Sequence, residues 1–221
     1  LAELAGNLSN PAAWTTQTTY AREALRQLDE KGEFGEDTPM LRQLKGLILR
    51  GELRDAAHAL NVLRQQIVFL NLPYYEHGRY RRFKATQADA DALKLLLQDK
   101  RPNQIYATGD AADPSSVAGI GYKLLEQALG DLRGEEWVSA CTLWLYRGKE
   151  KPFEPHEIDM AVPMSPLQMD RKLRALSRYG SLTSLEQSTA DINRATAGHY
   201  DALGLAEYEA IESFQRRTKT Q

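Results

Sequence analysis

A chain of 221 residues is long enough for one large domain or two small ones, and can bury about two thirds of its unfolded surface without staples. Hydrophobic residues make up 42% and charged residues 26%, which excludes a collagen, a coiled-coil rod, a disulfide scaffold and wholesale disorder. With 28 basic side chains against 30 acidic ones the net charge is −2, so no bulk charge draws the chain to nucleic acid or to an anionic membrane.

Residues 12–30 carry Trp14, Tyr20, Ala21, Ala24, Leu25 and Leu28 at helical spacing, between an Asn10-Pro11 start and a Lys31-Gly32 stop. A polar loop from Gly32 to Pro39 leads to a second helical pattern through Met40, Leu41, Leu44, Leu47 and Ile48, and a third from Glu52 to Leu60. The short apolar run Ile67-Val68-Phe69-Leu70 predicts a buried strand, followed by a loop bracketed by Pro73 and Gly78. Residues 86–99 read as a helix and Gln104 to Ala107 as a second strand. After Gly109 to Pro114 comes another helix, from about Ser115 to Leu129. Cys141 to Tyr146 predicts a third strand and Ile158 to Val162 a fourth, and the tail from Pro166 reads as helical, broken near Gly180 and Gly204. Its last stretch, with Leu203, Leu205, Tyr208, Ile211 and Phe214, reads as an amphipathic helix.

Strands that are apolar on both faces and alternate with helices predict an α/β fold, a Rossmann-like and mostly parallel sheet flanked by helices. The expected organisation is one domain over 1–221. The N-terminal 60 residues read as helical throughout, so the sheet is expected to lack its first βαβ portion. The chain opens on Leu1 rather than methionine, which predicts a processed, truncated or partial polypeptide.

No nucleophile elbow, Walker loop or Cys/His signature is present. Cys141 stands alone, which permits no internal disulfide and favours a reducing compartment. No apolar run approaches the roughly 18 residues of a membrane span, and no secretory leader opens the chain, so the expected localisation is cytoplasmic. The nitrogen and sulfur ligands His58, His77, His156, His199 and Cys141 have no helical spacing that would preset a metal pair. Gly119-Ile120-Gly121 is half of a dinucleotide fingerprint, and fits close helix packing better. The basic stretch His77 to Lys84 suits phosphate contact or plain solvation. The loop Gly109 to Pro114 follows a predicted strand at the carboxyl edge of the sheet, where open α/β folds place ligands. Its Asp110 and Asp113 suit a metal, sugar hydroxyls or base chemistry, and Asp113 suits equally well the N-cap of the helix that follows.

Several segments carry a resemblance: LKGLILRGELRDAA (44–57), VFLNLPYYEHG (68–78), PNQIYATGDAADP (102–114), LWLYRG (143–148), IDMAVPMSP (158–166) and NRATAGHYDALGLAEYEAIESF (193–214). Together they resemble the C-terminal PIG-L/LmbE-type domain of bacterial two-domain glucosamine-6-phosphate deaminase-like proteins. The resemblance implies a Rossmann-like domain whose relatives are zinc-dependent N-deacetylases of amino-sugar derivatives. It also implies metal motifs that this chain lacks. The H-P-D-D motif is absent, Ser115 and Ala118 stand where the H-x-x-H histidines belong, and Tyr179-Gly180-Ser181-Leu182 replaces H-x-S-Q.

The resemblance therefore implies a degenerate, non-catalytic domain that serves binding, regulation or assembly, with no catalytic residues, no zinc and no other cofactor. The alternative is a fragment of an active deaminase or zinc-dependent deacetylase whose catalytic residues lie outside the chain. The expected substrate-binding residues are Asp110, Asp113 and Arg147, the last either pairing with an anion or held in a surface ion pair. The expected partners are an amino-sugar or sugar-phosphate ligand and a deaminase domain or other subunits, with no nucleic acid and no membrane.

Overall fold

The computed structural model describes residues 11–33, 35–76, 84–108, 116–147, 153–180, 185–204 and 208–217. The chain forms two compact units, Leu1–Ile67 with Arg174–Thr183, and Val68–Leu173 with Ser184–Gln221.

The first unit is built on helices α1 (Pro11–Lys31) and α2 (Pro39–Ala59). α1 stops where the sequence predicts, because Gly32 turns into the left-handed region at φ 61°, a conformation without penalty for a residue that has no Cβ. Thr38 starts α2: its hydroxyl accepts a hydrogen bond from the Leu41 N–H at 3.3 Å, and Pro39 fills the first helical position. Two helices are expected over 40–60, and the structure has one. Gly51 lies inside it, and a lone helical glycine costs about 1 kcal/mol without forcing a break. Buried Leu41 and Ala56, on either side of it, anchor the continuous helix.

The run Ile67–Leu70 is not a strand. It follows a 3₁₀ turn, Arg64–Gln66, and Ile67 has extended angles, but no described strand pairs with it and Val68 is 52% exposed. Extended backbone without a ladder is coil, and the apolar run alone does not supply a partner. The bracketed loop after it begins as a helical turn, α3 (Pro73–Glu76).

The second unit continues with α4 (Gln87–Lys100), β1 (Gln104–Thr108), α5 (Val117–Asp131), the short α6 (Glu136–Ala140) and β2 (Thr142–Tyr146). β3 (Met160–Met164), α7 (Pro166–Leu176), α8 (Leu185–Ala202) and β4 (Ala210–Arg216) complete it, the last turn of α7 falling in the first unit. The α/β class stands, and the sheet is mixed. Its order is β1-β2-β4-β3, with β1 and β2 parallel and β4 antiparallel to both β2 and β3.

β4 corrects the expected amphipathic C-terminal helix. α8 ends before Gly204, which sits at φ 69°, and the residues after it join the sheet. Ile211 pairs with Pro163 and Phe214 with Met160, so the two residues read as one helical stripe occupy opposite faces of a strand. Leu205 lies outside the described residues, and Leu203 and Tyr208 are exposed.

The alternation of side chains sorts the core. Ile105, Ala107 and Leu143 point to one face, where they pack on Leu97 of α4 and Leu125, Ala128 and Leu132 of α5. Met164 and Ala210, on the other face, close on Met169 of α7 and Ala190 of α8. A third cluster joins Tyr74 of α3 to Ala90 of α4 and Leu124 of α5.

Candidate functional site

The parallel pair β1 and β2 delivers two chain segments to one edge of the sheet, beyond Thr108 and beyond Tyr146. That edge is where an open α/β sheet presents a crevice. Asp110 and Asp113, on the first segment, lie outside the described residues. The helix that follows is capped by Ser116 and not by Asp113. Ser116 has extended angles, and its hydroxyl accepts the Gly119 N–H at 3.0 Å. The helix starts two residues later than predicted, which moves the cap from the carboxylate to a serine. Ser116→Ala is expected to cost about 1 kcal/mol in thermal or denaturant unfolding, the usual worth of such a cap.

Arg147, directly after β2, is fully engaged. Its Nη1 and Nη2 each donate to a carboxylate oxygen of Glu157 at 3.0 Å, and its guanidinium carbon sits 4.3 Å from the centre of the Phe153 ring. Phe153 is buried beneath it. The fork of Arg147 matches the carboxylate in both donor spacing and plane, and the ring face accepts the remaining positive charge. Glu157 also accepts the Glu154 N–H at 2.9 Å. That backbone donor first, and Arg147 second, hold its carboxyl below the ordinary range. The geometry is that of an ion pair pinning the 155–157 turn to the end of β2. The sequence pattern Glu154-Pro155-His156-Glu157 carries the signal for this partner, an acidic residue three positions after a turn start.

The zinc that the resemblance implies finds no ligand set in the described residues. Among them no three His, Cys, Asp or Glu side chains come together in a way that holds a metal. His58 ends α2, His156 lies in the 155–157 turn and His199 near the end of α8, each exposed on a different element. His77 and Ser115 lie outside the described residues. Ala118, in the first turn of α5, is exposed and offers a methyl group where a ligand nitrogen is required. The described residues do not fit the metal.

No family profile matches the chain. A glucosamine-6-phosphate deaminase-like protein of Bacteroides thetaiotaomicron is 35% identical over 201 residues, covering 85% of this chain and 30% of the relative. The chain thus spans about 30% of the length of that relative. Among solved structures, GalB, the 4-carboxy-2-hydroxymuconate hydratase of Pseudomonas putida, superposes with a TM-score of 0.60 at 15% identity. That match covers 87% of this chain and 80% of GalB, and it speaks for the fold alone. A deacetylase of the teicoplanin biosynthetic pathway matches with a TM-score of 0.48 at 16% identity, over 90% of this chain and 80% of its own.

Proposed function

We propose that this chain, a PIG-L/LmbE-like domain related to the glucosamine-6-phosphate deaminase-like proteins, is a non-catalytic part of an amino-sugar enzyme and serves its assembly or regulation. The observation that carries this reading is Ala118. It occupies the first turn of α5, at the position where the resemblance puts a ligand histidine. A catalytic zinc takes about three protein ligands with one open position, and loss of one ligand weakens both binding and the polarisation of the attacking water.

Two further features support the same direction. Arg147, directly after β2, is paired with Glu157 and stacked on Phe153. The cap that would have competed with ligand chemistry is a serine facing its own helix. Deamination, if the longer polypeptide performs it, would then reside in the part of such proteins that this chain does not span, as the 30% coverage of the relative allows. Asp110 and Asp113 remain the residues through which a sugar hydroxyl would be bound.

The test is a deacetylase assay on an N-acetylated amino sugar, with and without added zinc, alongside elemental analysis of the dialysed protein. The expected result is no turnover above the buffer rate and no stoichiometric zinc. Metal-dependent turnover, or about one tightly held zinc per chain, overturns the reading.

A further inference from the structure

We draw no further inference here: the strongest candidate, the exposed apolar patch that Leu47 and Ile48 make on α2 of the first unit, carries nothing because nothing in the structure shows what covers it.

Discussion

Replacing Asp89 by alanine is expected to destabilise the second unit by about 3 kcal/mol, a drop in melting temperature of roughly 6–12 °C. The side chain is fully buried, at 0% exposure. Its Oδ1 accepts the Tyr74 N–H at 2.9 Å, and its Oδ2 accepts the Thr86 N–H at 2.8 Å and the Thr86 hydroxyl at 2.9 Å. One carboxylate thus closes the capping box of α4 and ties α3 to it. Alanine removes every acceptor at once and strands two backbone donors, each costing about 1–3 kcal/mol when buried.

The same geometry fixes the pH dependence. Burial pushes the Asp89 carboxyl up, but the N–H groups of Tyr74 and Thr86 outweigh it and hold it below the ordinary value. A folded-state pKa that is depressed contributes stability above the unfolded value, about 3.9, and loses it as the pH falls through the folded one. The gap between wild type and Asp89→Ala is therefore expected to be full at neutral pH and to narrow below about pH 4. Denaturant unfolding at both pH values measures it. A gap that stays constant on acidification would mean that the carboxylate's charge is not what holds these donors.

What the sequence made legible followed local rules. Proline at helix starts and glycine at helix stops place α1 and the start of α2 through Pro11, Gly32 and Pro39. β1 and β2 are short, apolar and bounded, and both form where predicted. The failures are non-local. Ile67–Leu70 has the composition of a strand and no strand beside it, while Ala210–Arg216 has a helical spacing of apolar residues and is drawn into β4 by β2 and β3. Pairing decides both, and pairing is not written in the run itself. At the candidate site, Arg147 is legible as a cation at a strand end, but its partners Glu157 and Phe153 lie 10 and 6 residues ahead, and only the fold brings them to it. The cap moved from Asp113 to Ser116 because either residue satisfies the same preference and only the helix's actual first turn selects between them.

In the first unit the largest effect is expected at Asp37, whose side chain is 1% exposed between two lysines. It accepts from Lys45 Nζ at 2.8 and 2.7 Å and lies 2.9 Å from Lys31 Nζ, so it joins the last residue of α1 to the second turn of α2. Burial raises the Asp37 carboxyl, yet the two ammonium groups prevail and keep it below its usual value. Asp37→Ala leaves two like charges facing an empty carboxylate position, and the expected cost is about 3 kcal/mol, the low end for breaking a buried pair. The lysines are not equivalent. Lys45 is 34% exposed and can swing into water, whereas Lys31 is 14% exposed and also donates to the Gly35 carbonyl at 3.2 Å. Lys31→Met is therefore expected to cost more than Lys45→Met, and a double-mutant cycle with Asp37→Ala should give the larger coupling for Lys31. Amides of α1 should exchange faster in Asp37→Ala, because the helix loses its charged tether while its own hydrogen bonds are intact. Equal coupling for the two lysines would show that the exposed ion pair holds α1 as firmly as the buried one, and that burial is not the source of the tether's strength.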